Sequence, residues 1–477
     1  MPSRRNFIKK TGVFASGFML SQATGLGMYS AGFESNRPPL AERKFNSKAV
    51  EDTIAGLKKQ IGDPELAWLF ENCFPNTLDT TVEFEMLNGI PDTYVITGDI
   101  DAMWLRDSTA QVWPYLSLVK KDDKLKQLIA GVINRQKNSI LLDPYANAFY
   151  KDLNKISEWK SDITTMKPGI HERKWEIDSL CYPIRLAHRF WKLTGDISVF
   201  DEAWKQSIVL TLQTFKEQQR KNGNGPYTFQ RNTAWATDGV PLSGYGYPVN
   251  PVGLICSIFR PSDDSTLFPF LVPANFFAVV SLRQAAEMVD KIYNDNKLAN
   301  ECSHLADEVE TALKKYSVTE HPAYGKVYAF EVNGFGSYHL MDDANVPSLL
   351  SLPYLGAVTE KDNIYANTRR YILSTDNPFF FKGRAAEGIG GPHGGMHTIW
   401  PIAIIMRGLT SKDPSEIKQS LRFLKTTHAG TGFMHEAFHK DDPSRFTRKW
   451  FAWANTLFGE LVLQVQEKNP SLLKEII

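Results

Sequence analysis

Cysteine is scarce in this chain. Only Cys73, Cys181, Cys256 and Cys302 occur in 477 residues, widely spaced and with no CxxC pair, so neither a zinc site nor a disulfide framework is indicated and buried free thiols are expected. An excess of charge of either sign is also missing. Lys and Arg number 54 against 53 Asp and Glu, a formal net charge of +1, which provides no basic field to concentrate nucleic acid or an anionic membrane. A neutral partner fits better. From Lys48 onward no Ser/Gly linker, charge run or low-complexity tract divides the chain, and no apolar run of ~20 residues offers a membrane span. One large domain is the simplest reading.

What is present is a composition able to bury a large core, 43% hydrophobic and 22% charged. Aromatics make up 12%, with 11 Trp and 17 Tyr. Amphipathic rings of this kind suit the apolar face of a sugar, and they equally suit the core of a large helical protein. The chain starts with Arg4-Arg5 and Lys9-Lys10 ahead of a moderately apolar stretch from Thr11 to Ala31, the basic and apolar regions of an export signal. Ser16, Ser21, Gln22 and Thr24 interrupt that stretch, which disfavours stable membrane insertion. Residues 1–35 are read as signal and short leader and 36–477 as a single catalytic domain. The paired arginines look like a twin-arginine signal, with an ordinary secretory signal as the alternative, and the expected location is the periplasm. The oligomeric state is not legible.

Helical period dominates the remainder. Trp450, Trp453, Ala454, Leu457, Phe458, Leu461, Val462 and Val465 fall at i, i+3, i+4, i+7 spacing. Similar patterns run through 125–140, 177–191, 200–215, 276–289, 298–316, 365–373, 398–409 and 417–426. Between them lie long Gly/Pro/aromatic loops, 226–273, 377–392 and 429–448, and loops of such length in a compact domain are usually functional. The expectation is an all-α toroid with its long loops gathered at one mouth.

Four segments carry candidate chemistry. In Thr97–Ser108, Arg106 beside Asp107 forms a fork of donors and acceptors suited to adjacent sugar hydroxyls, with Trp104 as a stacking face and Asp101 nearby. The plainer reading there is helix capping by Asp99 or Asp101 with a local ion pair. A second segment ends in Arg260-Pro-Ser-Asp-Asp264, where a neighbouring negative charge raises one acid's pKa and the cation lowers the other's. One of Asp263 and Asp264 also suits capping of the following helix. The third is the glycine-rich Gly388–Trp400, with His393 and His397 at i, i+4 but no HExxH glutamate, so hydrogen bonds to sugar or backbone are expected rather than a metal. In the fourth, Gly432–Asn455, Glu436 sits between aromatics before a turn-rich stretch, Asp441 and Asp442 suit a turn, and Glu460 in the last helix suits a buried structural carboxylate. Two carboxylates brought from distant segments into aromatic surroundings fit glycoside hydrolysis, which needs one acid for the leaving oxygen and one base or nucleophile.

Taken together, Cys73–Thr77 (CFPNT), Gly98–Thr109 (GDIDAMWLRDST), Asp143–Phe149 (DPYANAF), Glu176–Pro183 (EIDSLCYP), Phe259–Ser265 (FRPSDDS) and His435–Leu461 (HEAFHKDDPSRFTRKWFAWANTLFGEL) make the chain resemble glycoside hydrolase family 125. These are exo-acting α-mannosidases best known for α-1,6-linked mannose. The resemblance spans nearly the whole chain after the signal. It implies an (α/α)6 barrel and metal-independent, inverting hydrolysis of a mannose-containing glycan without a cofactor. It further implies a general acid at Asp263, with Asp264 the close alternative, and a general base at Glu436. Arg106 and Asp107 would anchor the terminal mannose with Asp101, Trp104, Arg231 and His393. The chain departs from the family pattern in its unusually glycine-rich GGPHGG stretch and in its export signal. Other toroid enzymes (a glucosidase, a polysaccharide lyase, a calcium-dependent mannosidase) and a non-catalytic glycan-binding protein are the competing readings.

Overall fold

The computed structural model of the chain describes residues 33–359 and 361–477; the expected export signal lies, up to residue 32, outside the described residues. The helices in chain order are α1 (Lys48–Lys58), α2 (Pro64–Cys73), α3 (Asn76–Thr80), α4 (Leu105–Val112), α5 (Asp123–Leu142), α6 (Ile177–Thr194), α7 (Glu202–Gln218), α8 (Val272–Tyr293), α9 (Asn296–Tyr316), α10 (Asn363–Ile372), α11 (Pro401–Leu409), α12 (Pro414–Thr426) and α13 (Ala452–Lys468). Every helix expected from periodicity is present, with ends displaced by a few residues.

Two kinds of helix start recur along the chain, and they explain where the site lies. Helices α1, α2, α5, α7, α9, α10 and α12 begin at Ser47, Asp63, Asp122, Asp201, Asp295, Asp362 and Asp413, whose side chains accept from N–H groups of the first turn. This is ordinary capping of donors that have no intrahelical partner. Helices α4, α6, α8, α11 and α13 begin instead after Trp104, Glu176, Leu271, Trp400 and Phe451, all in extended backbone and without a side-chain cap. These uncapped helices form one contiguous row: α8 packs on α6, α6 on α4, α4 on α13 and α13 on α11. The capped helices back them, with α9 behind α8, α7 beside α5, α12 behind α11 and α2 against α13. One hydrophobic core runs through both layers, from Ala49 to Leu473.

The all-α expectation needs one correction. Short antiparallel strands occur at the starts of the uncapped helices: Met103–Trp104 pairs with Ala148–Phe149, which pairs with Ile170–Glu172. Likewise Thr398–Ile399 pairs with Phe438–His439, which pairs with Asp442–Phe446. These pairs tie the long loops to the ends of α4, α6 and α11. Among the described residues no helix is long and apolar enough to cross a membrane, and the four cysteines are buried and free.

Candidate active site

An open cavity sits where the uncapped helices start. Trp104, Trp400 and Phe451, the residues just before α4, α11 and α13, all line it, together with Arg106, Asp107, Asp263, His393, Glu436, Arg448 and Trp453. Helix starts carry unpaired N–H groups and the positive end of the helix dipole, so carboxylates gathered there are favoured.

Asp263 reaches the cavity through a tight loop. The Asp263 amide donates to the Arg260 carbonyl (2.9 Å) and the Arg260 amide to the Asp264 carbonyl (2.8 Å), while the Arg260 guanidinium is fixed by Glu331 at 2.7 Å. Asp263 itself adopts φ +66°, a left-handed conformation that short polar side chains tolerate better than most. That reversal separates two adjacent acids. Asp263 borders the cavity, whereas the Asp264 side chain is 2% exposed and lies 3.5 Å from the His393 ring. Burial pushes the Asp264 carboxyl up, but hydrogen bonding and charge from His393, helped by Thr237 and Arg260, hold it below the usual carboxylate range. An acid so held is a poor proton donor at neutral pH.

Arg106 organises the floor. Its Nη1 contacts Glu176 at 2.6 Å and Asp178 at 3.1 Å, its Nη2 contacts Asp263 at 3.3 Å, and its Nε lies 3.5 Å from Asp107. The far oxygen of Asp107 accepts from Thr97 Oγ1 at 2.7 Å. Burial pushes the Asp107 carboxyl up, with Arg106 opposing. Burial likewise raises Asp178 to about 6 against the same opposing charge.

Glu436 comes from a different part of the chain. It stands two residues before the strand that pairs with Thr398–Ile399, accepts from Thr447 Oγ1 at 2.9 Å and from Arg448 Nη1 at 3.3 Å, and is 15% exposed. Arg448 also grips Asp99, tying the loop that carries Glu436 to the 97–101 loop. The preceding His435 is clamped: its Nδ1 donates to the carbonyls of Arg448 (3.1 Å) and Lys449 (2.8 Å), and its ring stacks on Phe446 at 4.0 Å.

Burial lowers the His435 imidazole to about 4 from 6.5, against the opposing pull of the main-chain carbonyls around it. Below pH 6.5 the unfolded chain binds a proton that the folded protein refuses until about pH 4, so this group stabilises the fold less as pH falls. The stability advantage of the wild type over His435→Asn is therefore expected to shrink by about 3 kcal/mol between pH 7 and pH 4. Urea unfolding of both proteins at the two pH values checks this, and a difference independent of pH would refute it.

Of the residues proposed from sequence, Trp104, Arg106, Asp107, Asp263, His393 and Glu436 converge on the cavity. Two substrate-binding assignments do not hold in position. Asp101 is 72% exposed and paired with Lys155 at 2.8 Å, because the 97–101 loop turns Asp99, rather than Asp101, toward the Arg448 side. Arg231 is buried in ion pairs with Asp162 (2.6 Å), Glu172 (3.0 Å) and Asp238 (3.1 Å) and stacks on Trp159. It acts one layer back, since Asp238 also binds Lys174, whose Nζ donates to the main-chain carbonyl of Asp263 at 2.9 Å. Glu460 is bonded to the Tyr354 hydroxyl at 2.9 Å, the structural carboxylate expected. Glu176, Asp178, Trp400, Arg448, Phe451 and Trp453 were not singled out from sequence.

Carboxyls in contrasting settings between indole faces, at the mouth of a two-layered helical fold, fit a glycoside hydrolase. The model of the family described as metal-independent alpha-mannosidase (GH125) matches residues 63–463, and the chain belongs to that family. A solved Streptococcus pneumoniae protein, described as a metal-independent alpha mannosidase in a non-productive substrate complex with alpha-1,6-mannobiose, is 42% identical, covers 89% of this chain and 99% of its own, and superposes with a TM-score of 0.85. The Meiotically up-regulated gene 157 protein of Schizosaccharomyces pombe is 43% identical over 457 residues, 92% of this chain and 90% of its own. A bacterial glucoamylase complexed with acarbose shares the fold alone, at 12% identity and a TM-score of 0.51 over 90% of this chain and 57% of its own.

Proposed function

We propose that this α-mannosidase removes non-reducing terminal α-1,6-linked mannose from glycans with inversion at the anomeric carbon, on an (α/α)6 barrel spanning residues 36–477 as one catalytic domain. Asp263 is the general acid and Glu436 the general base. The observation that carries the reading is that the two carboxyls, 173 positions apart in the sequence, line one cavity with different partners. Asp263 faces it from the Arg106 cluster and Glu436 from a hydroxyl and a guanidinium that leave it ready to accept a proton. In an inverting enzyme the two carboxyls stand ~6.5–9.5 Å apart, leaving room for the attacking water on the face opposite the leaving group. Trp104 and Trp400 supply stacking faces, and Arg106, Asp107 and His393 supply polar contacts for hydroxyls. The α-1,6 linkage is taken from the mannobiose held by the Streptococcus pneumoniae relative. The family's description as metal-independent stands against the calcium-dependent alternative. Residues 1–35 are proposed to export the protein to the periplasm.

The test is proton NMR of the purified protein acting on α-1,6-mannobiose, following the anomeric configuration of newly released mannose. Initial β-mannose is the expected result. Initial α-mannose would mean retention and overturn the roles given to Asp263 and Glu436, and binding without release would favour a glycan-binding protein.

A further inference from the structure

Beneath Asp263 lies a carboxyl that the reaction as described leaves unused. Glu176 precedes α6, its side chain is fully buried, and its Oε2 receives Arg106 Nη1 at 2.6 Å and Ser179 Oγ at 2.9 Å. Its Oε1 is buried and no donor among the described residues reaches it. The same Arg106 guanidinium spans both acids, meeting Glu176 through Nη1 at 2.6 Å and Asp263 through Nη2 at 3.3 Å. Two acids set on one guanidinium, one of them with a buried unpartnered oxygen, repel when both are ionised, and a proton shared between them relieves that repulsion.

We propose that Glu176 is the proton-holding partner of Asp263: the two carboxyls share one proton under the cavity floor, and Asp263 delivers it to the departing oxygen. The proposal rests on the assignment of Asp263 as general acid.

The charges facing the pair agree. From α4 come Arg106 and Asp107, from α6 Asp178, and from the preceding loop Lys174, which is directed to Asp238 and to the main-chain carbonyl of Asp263. Glu172 and the Tyr227 hydroxyl flank the cluster. One guanidinium thus meets four carboxyl groups, and full ionisation would bury uncompensated negative charge. Burial, with Asp178 and Asp263 adding to it against Arg106, pushes Glu176 well above the usual carboxylate range.

In turnover the shared proton passes wholly to Asp263 and then to the glycosidic oxygen as the C1–O bond breaks, the bonding pair staying on that oxygen. Water adds to C1 and gives its proton to Glu436. Reset follows when Glu436 releases that proton to solvent and Asp263, the member of the pair that borders the cavity, takes one up. Glu176 is thus a positioning residue that acts through Asp263.

Glu176→Gln keeps the shape and removes the titrating group. On α-1,6-mannobiose it is expected to lower kcat roughly tenfold at pH 7 with little change in KM, and to move the alkaline limb of the pH profile down by about one unit. On 2,4-dinitrophenyl α-mannoside, whose leaving group needs no proton, the rate should stay near wild type. Equal losses on both substrates with an unmoved alkaline limb would mean a scaffold role and overturn the pair. Asp263→Asn serves as the control: if it spares mannobiose, the acid assignment itself falls and takes the pair with it, whereas a mannobiose-specific loss in Asp263→Asn beside an unaffected Glu176→Gln sinks only the pair. Should Glu176→Gln fail to fold, infrared difference spectra of the wild type and Asp263→Asn decide. A buried protonated-carboxyl band at neutral pH that shifts on replacing Asp263 supports the pair, and the absence of such a band refutes it.

Discussion

Glu436→Gln is expected to lower kcat/KM for α-1,6-mannobiose by roughly 10²–10⁴-fold, the usual contribution of a positioned acid or base, with the protein still folded. The amide is close in shape to the carboxylate and can still meet Thr447 Oγ1 and Arg448 Nη1, the two groups that hold Glu436. What it loses is the ability to take a proton from water. The loss should be as large on 2,4-dinitrophenyl α-mannoside as on the disaccharide, because base assistance to water is needed whatever the leaving group. Asp263→Asn should behave differently, with a comparable fall on mannobiose and a much smaller one on the activated aryl mannoside. Steady-state kinetics of the two variants on the two substrates therefore separate the roles. If Glu436→Gln retained activity on both, the base would lie elsewhere in the cavity. If Asp263→Asn lost both equally, Asp263 would be something other than a proton donor.

The readability of this chain divides by layer. Helices of the outer layer, such as α9 with its apolar stripe Leu298, Cys302, Leu305, Val309 and Leu313, face solvent on one side, so their period shows in the sequence. The inner helix α4 is buried at every residue from Leu105 to Val112, polar ones included, and a helix surrounded by protein has no polar face to create a period. It was legible only through the motif it carries. Strands of two or three residues, such as Met103–Trp104, are too short for alternation to register, which is why the all-α reading missed the ties between loops. Asp263 and Glu436, the two carboxylates that reach the cavity from distant segments, were legible because both stand in long Gly/Pro/aromatic loops, where a carboxylate has little capping or surface duty to explain it. Asp101 and Arg231 were misplaced for the converse reason: residue type and nearness in sequence do not say which way a loop turns. Glu176 was passed over because an acid at a helix start ordinarily serves the dipole. Only Arg106, 70 positions away in the chain, reveals that it belongs to the site.

Arg106→Met should be the most damaging substitution for stability, costing about 3–5 kcal/mol, the range for removing one partner of a buried charge pair. The side chain is 3% exposed and is the only cation in direct contact with Glu176 and Asp178 among the described residues. The deficit should depend on pH. Asp178 already has its folded pKa raised to about 6, mainly by burial and against the lowering charge of Arg106. A carboxyl with a raised folded pKa contributes stability that is present below its unfolded value and lost as pH rises through the folded value. Without Arg106 the opposing charge is gone, both acids rise further, and ionisation costs more at each pH above the unfolded value. The Tm gap between Arg106→Met and wild type is thus expected to widen from pH 5 to pH 8, and a gap that stays constant or narrows would show that Arg106 acts there by packing alone. Arg106→Lys refines the argument. An ammonium restores one positive charge but not the two-pronged reach that joins Glu176 through Nη1 and Asp263 through Nη2. It should recover much of the stability while leaving turnover of mannobiose low, since the cation would be back but the two acids would no longer be held in register with each other.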